Sequence, residues 1–96
     1  MKMIMISYNE AIESEVMYSL TGCGLKNYTK ITDTYGSGLT SGTHLGNDIW
    51  PGKNSTLYVA CEDKAAKQLL GRIKELRKTL GKEGVKAFLL PLEDMT

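Results

Sequence analysis

The chain has 96 residues, of which 42% are hydrophobic and 24% charged, with a formal net charge of +1 at pH 7. This length suits one domain with a modest core, and the near-neutral charge does not favour nucleic acid or an anionic membrane surface as the main partner. No apolar run approaches the ~20 residues of a membrane span, and MKMIMISY lacks the pattern of a signal peptide. We therefore expect one cytoplasmic domain over residues 1–96, with Cys23 and Cys61 as free thiols.

The first half of the chain predicts a strand, a helix and a second strand. Residues 2–8 are short and apolar, which is typical of a buried strand. Asn9 is a candidate N-cap, and a helical apolar stripe follows it, formed by Ile12, Val16 and Leu20. Glycines at positions 22 and 24 end the helix, and residues 27–34 predict the second strand because they are rich in threonine.

A long glycine-rich loop follows, at about residues 36–54. Loops of this length are uncommon in compact domains unless they are functional or disordered. Gly36, Ser37 and Gly38 can form either an anion-binding nest or a simple turn. His44 is a candidate metal ligand or acid-base group, although a solvated histidine is ordinary in a loop. Trp50 either anchors the loop at a subunit boundary or contacts a partner protein, because exposing an indole to water is unfavourable.

The second half repeats the order of the first. Residues 55–61 are β-branched and aromatic and predict a third strand, and Asp63 is a candidate N-cap for a second helix. Residues 85–90 predict the fourth strand. The second helix carries an apolar stripe formed by Ala66, Leu69, Leu70, Ile73, Leu76 and Leu80.

The order βαββαβ predicts an α+β ferredoxin-like sandwich, with two helices on one face of a four-stranded antiparallel sheet. The first and fourth strands contain MIMI and AFLL, which are apolar on both faces, so the uncovered face of the sheet requires a partner. We expect a homo-oligomer. An acylphosphatase-type enzyme would need an arginine in a loop, whereas Arg72 and Arg77 lie in the second helix. An RNA-recognition module would need more stacking aromatics on its central strands.

Two segments carry a family resemblance. TDTYGSG, before the loop, resembles the TxxxGxG signature of the PII signal-transduction family, which includes the nitrogen regulatory protein PII. GVKAFLLPLED resembles the final strand of that family, with its lysine before the apolar run. The loop also resembles that of short PII-like proteins, which contain similar SGxHxG and WPGxN patterns.

The resemblance implies a non-enzymatic homotrimer that holds an adenine nucleotide (ADP, ATP or AMP) or another small effector in clefts between subunits. Its long loop would regulate a membrane transporter or a metabolic enzyme. The positions that match the effector-binding residues of the family are Gly36, Ser37, Gly38, Gly84 and Lys86. The family's longer glycine-rich turn is shortened here to LGKEGVK.

The same resemblance implies a partner-binding loop that presents His44, Trp50 and Lys53, with no catalytic residues, no metal and no covalent cofactor. Neither nucleic acid binding nor membrane insertion is expected. The alternative is a CutA-like trimer of the same architecture, whose role would be structural or related to divalent metals through His44 and the cysteines.

Overall fold

A computed structural model of the chain describes residues 1–36, 53–80 and 84–96. The predicted order of strands and helices is confirmed. The elements are β1 (Lys2–Asn9), a 3-10 turn (Glu10–Ile12), α1 (Glu13–Gly22), β2 (Thr29–Thr34), β3 (Asn54–Cys61), α2 (Asp63–Leu80) and β4 (Val85–Pro91).

The four strands form one antiparallel sheet in the order β2-β3-β1-β4. The central strand β1 pairs with β3 from Lys2 opposite Cys61 to Asn9 opposite Asn54. On its other side β1 pairs with β4, from Lys2 opposite Pro91 to Tyr8 opposite Val85. This is the predicted ferredoxin-like arrangement, in which β2 and β4 are the two edge strands.

The hydrophobic core lies between the sheet and the two helices. Alternate residues of β1 and β3 point into it, because successive strand residues face opposite sides of a sheet. Each fully buried aliphatic side chain contributes ~1.5–3 kcal/mol relative to exposure. The buried apolar residues are Ile4, Ile6, Tyr8, Ile12, Val16, Leu20, Leu57, Val59, Cys61, Ala66, Leu69, Ile73 and Val85. Both predicted helical stripes are confirmed, since Leu70, Leu76 and Leu80 also pack against this cluster.

Local hydrogen bonds fix both ends of the first helical segment. The Asn9 side chain accepts a hydrogen bond from the backbone N–H of Ala11 at 2.9 Å, which confirms its predicted capping role. At the other end, Gly24 adopts a φ of 72°, and its N–H donates to the carbonyl of Thr21 while that of Leu25 donates to the carbonyl of Leu20. These two bonds form a Schellman motif, in which a glycine tolerates the left-handed backbone.

Several predicted boundaries are wrong by one or two residues. Strand β2 begins at Thr29 rather than at residue 27, and β3 begins at Asn54 rather than at residue 55. Asp63 is the first residue of α2 rather than its N-cap, because the carbonyl of Glu62 already accepts from the N–H of Ala66. Sequence patterns locate the first and last residues of a strand or helix less accurately than its middle.

The side of the sheet away from the helices is largely apolar, as the two-sided strands predicted. We call it the open sheet face. Two of its rows follow from the register: Thr29, Tyr58, Met5 and Phe88 form one, and Ala60, Met3 and Leu90 form the next. Phe88 and Leu90 are 39% and 44% exposed, which is high for large apolar side chains in adjacent rows.

Candidate functional site

Four of the predicted site residues lie at one end of the sheet, which we call the loop end. It comprises the end of β2 with Gly36, the start of β3 with Lys53, the end of β1, and the start of β4 with Gly84 and Lys86. Two backbone hydrogen bonds hold it together. The N–H of Glu10 donates to the carbonyl of Lys53, and that of Asn9 donates to the carbonyl of Gly84, each at 2.9 Å.

Gly84 and Lys86 form the corner of the loop end next to β4. Gly84 has a φ of 81°, a conformation in which a side chain would be strained. Lys86 lies on the open sheet face opposite Ser7, and its Nζ is 5.5 Å from the centre of the Phe88 ring. Within the part of the chain that the structure describes, Lys86 forms no ion pair. Its ammonium group is therefore available to an anion.

Gly36 and Lys86 belong to opposite edges of the sheet. Gly36 follows β2 and Lys86 lies in β4, with β3 and β1 between them. Neighbouring strands are ~4.8 Å apart, so the backbones of the two edge strands are ~14 Å apart. A bicarbonate-sized anion cannot contact both edges of one subunit.

A row of three hydroxyl groups crosses the open sheet face near the loop end. The Oγ of Ser7 lies 3.1 Å from Oγ1 of Thr56, and Oγ1 of Thr56 donates to Oγ1 of Thr34 at 3.2 Å. Thr56 is only 6% exposed. None of these three hydroxyls was predicted as a site residue, although Ser7, a polar residue between apolar ones in β1, was a visible signal.

On the helix side of the loop end, Glu13 connects β1 and β2. Its Oε1 accepts hydrogen bonds of 2.5 Å from the Tyr8 hydroxyl and from Nζ of Lys30. Lys30 and Tyr8 together lower the pKa of the Glu13 carboxyl. Burial and the adjacent Glu13 raise the pKa of the Tyr8 phenol, and Glu13 raises the pKa of Lys30. This cluster ties β2, which leads into the loop, to α1.

Other predicted site residues, namely Ser37, Gly38, His44 and Trp50, lie outside the described residues. In residues 1–36, 53–80 and 84–96, no three or more histidine, cysteine, aspartate or glutamate side chains are grouped to hold a metal ion. Over the same ranges, no helix is long and apolar enough to cross a membrane.

Comparison with known families shows to which family the chain belongs. The family model of nitrogen regulatory protein P-II matches residues 1–96. The chain is a member of the P-II family. This confirms the resemblance that TDTYGSG and GVKAFLLPLED indicated. No curated protein sequence matches the chain.

Solved P-II-like structures share this fold at low identity. CPII from Thiomonas intermedia K12, bound to ADP, AMP and acetate, is 18% identical with a TM-score of 0.69, covering 93% of this chain and 82% of CPII. The apo form of CPII is 16% identical with a TM-score of 0.70, and the match covers 92% of this chain and 84% of CPII. A putative PII-like signaling protein from Thermus thermophilus is 20% identical with a TM-score of 0.65, and the match covers 92% of this chain and 82% of that protein. At these identities the likeness establishes the fold.

Proposed function

We propose that this P-II chain is a non-enzymatic signalling protein that senses a small effector and regulates a partner protein. The observation that carries the proposal is the convergence of the loop base, Lys53, Gly84 and Lys86 at one end of the sheet. Adenine nucleotides are the proposed effectors, because CPII is bound to ADP and AMP in a solved structure. Bicarbonate is a second candidate, since CPII is also bound to it.

The proposed assembly is a homotrimer that buries the open sheet face. Exposed apolar rows on that face, with Phe88 and Leu90 at their edge, support burial against other copies. In a cyclic trimer each contact joins two different patches of the subunit. Clefts between subunits then form beside the edge strands, where Gly36 and Lys86 lie.

Lys86 and Gly84 are the residues that we assign to the effector phosphate. A lysine is a compact cation that can neutralise phosphate charge, and a glycine allows close approach of the backbone. Gly36, Ser37 and Gly38 would complete the site from the loop base. The loop residues His44, Trp50 and Lys53 would contact the partner, for which a membrane transporter or a metabolic enzyme is proposed.

Effector binding would act on the partner by shifting the loop between conformations. A ligand shifts such an equilibrium only by its differential affinity for the two states. The Glu13–Lys30 ion pair anchors the strand before the loop, so we propose that the shift occurs beyond β2 rather than within the sheet. The protein would work in the cytoplasm, without inserting into a membrane.

Isothermal titration calorimetry on the purified protein tests the proposal, using ADP, AMP and bicarbonate as separate titrants. We expect saturable binding of at least one of the three. Lys86→Met should weaken nucleotide binding about tenfold, or ~1.4 kcal/mol. Lys74→Met is the matched control, because Lys74 is an exposed lysine of α2 on the other side of the sheet.

Absence of binding for all three titrants would overturn the proposed function. If the wild type and Lys86→Met bind the nucleotide with equal affinity, the proposed sensor function stands, but Lys86 is not part of the effector site. A matching loss in Lys74→Met would show that general charge, rather than the position of Lys86, governs the affinity.

A further inference from the structure

The hydroxyl row on the open sheet face has a defined direction. A hydroxyl group has one proton to donate. Thr56 donates its proton to Thr34, so the contact between Ser7 and Thr56 must use the proton of Ser7. The chain of donation therefore runs from Ser7 through Thr56 to Thr34. The proton of the Thr34 hydroxyl has no acceptor among the described residues.

Thr34 occupies this position because of a bulge in β2. Lys30 is opposite Leu57 and faces the helices, so regular alternation would also direct Thr34 to the helix side. The register shifts between Ile31 and Thr34, which pairs with Asn54 instead. This extra residue turns Thr34 to the open sheet face, where its hydroxyl meets Thr56.

The bulge is strained at one residue. Asp33 has a φ of 57°, the only positive φ of a residue other than glycine in the described parts of the chain. Such a conformation is unfavourable for a residue with a side chain and persists where the surrounding structure determines it. Bulges commonly re-aim a side chain next to a binding site. Here the re-aimed group is a hydroxyl donor two residues before Gly36.

We infer that the Thr34 hydroxyl donates a hydrogen bond to an oxyanion of the effector at the base of the loop. The inference rests on the proposed function and deepens it by adding a specificity residue. An oxyanion is the favoured acceptor because a hydrogen bond to a charged group is stronger than one to a neutral group. The group can be a nucleotide phosphate or a small ion such as bicarbonate.

Donation along the row makes Thr34 a better donor. When Thr34 accepts a hydrogen bond from Thr56, its own hydroxyl is polarised, because linked hydrogen bonds strengthen one another. Thr56 is almost fully buried, so water competes little for that contact. Thr34 itself is half-buried, which leaves it partly accessible to a ligand.

The test is a titration of the full-length protein with ADP and, separately, with bicarbonate. Thr34→Val removes the hydroxyl and keeps the β-branched shape, so we expect binding about tenfold weaker, or ~1.4 kcal/mol. Thr34→Ser keeps the donor and should bind within about threefold of the wild type, or ~0.7 kcal/mol. Ser7→Ala, at the far end of the row, should lose less affinity than Thr34→Val. Thr79→Val in α2 is the control for removal of an exposed threonine hydroxyl.

The two titrants distinguish the source of the oxyanion. A loss confined to ADP assigns Thr34 to a phosphate, and a loss confined to bicarbonate assigns it to the small ion; either supports the inference. If the wild type binds and Thr34→Val binds equally well, or Ser7→Ala loses more, the inference is wrong while the proposed function stands. If the wild type binds neither titrant nor AMP, both fail. Should Thr34→Val not fold, Thr34→Ala replaces it with the same expectation.

Discussion

Tyr8 and Glu13 are joined across β1 and α1 by a hydrogen bond of 2.5 Å, from a phenol that is fully buried to a carboxylate at the surface. Glu13 also accepts from Lys30, so one carboxylate connects the central strand, the first helix and the strand that enters the loop. This contact is a polar link between the core and the loop end of the sheet.

Loss of the Tyr8 hydroxyl should destabilise the fold. Tyr8→Phe keeps the buried ring and removes the hydrogen bond to Glu13, which should lower the free energy of unfolding by ~1–2 kcal/mol. Urea denaturation measures the change. Tyr18→Phe is the matched control, because Tyr18 is 73% exposed and its hydroxyl should matter by less than ~0.5 kcal/mol. Equal stabilities of Tyr8→Phe and the wild type would contradict the assignment.

The Glu13–Lys30 pair should make stability depend on pH in the acid range. Lys30 and Tyr8 hold the pKa of folded Glu13 below its ordinary value of 4.5. The stabilisation is therefore fully present above the pKa of the unfolded state and is lost as pH falls through the folded pKa. The free energy of unfolding, measured from about pH 6 to pH 3, should fall more steeply for the wild type than for Glu13→Gln. Parallel curves would argue against the ion pair.

Disruption of the open sheet face should dissociate the proposed trimer. Phe88→Glu places a charge in the row opposite Met5, where packing against other copies would leave it unpaired. Sedimentation velocity should show three-subunit particles for the wild type and single subunits for this variant. Lys74→Glu, on α2, should sediment like the wild type. A wild type that sediments as a folded single subunit at micromolar concentration would refute the trimer.

The two cysteines should differ in their reactivity. Cys61 is buried, and burial raises the pKa of its thiol, whereas Cys23 is partly exposed. Only the thiolate reacts, so a disulfide reagent should modify Cys23 rapidly and Cys61 only as the fold opens. Mass spectrometry of the native protein over time separates the two sites. Equally rapid modification of both thiols would show that Cys61 is not protected.

Most of the fold was predictable because strands and helices leave different apolar periods in the sequence. Ile12, Val16 and Leu20 at helical spacing identified the face of α1 that is buried. MIMI and AFLL indicated an apolar open sheet face, because a strand covered on one side only would alternate. The family was predictable from TDTYGSG and GVKAFLLPLED, and the match over residues 1–96 confirms it.

The candidate site was less predictable, because its side chains meet through register rather than through sequence spacing. Ser7 and Thr56 are 49 positions apart and touch only because β1 pairs with β3. Thr34 joins them through a bulge that no glycine marks in the sequence, since Asp33 adopts the positive φ. The contact of Lys30 with Glu13 depends on the same sheet order.

The central claim is that effector binding at the loop end of the sheet changes the loop. Amide hydrogen exchange over residues 36–53, with and without saturating ADP or bicarbonate, tests it most directly. The account predicts slower exchange in this segment with at least one of the two effectors, and little change in α2. Unchanged exchange in residues 36–53, under conditions where calorimetry shows bound effector, would contradict it.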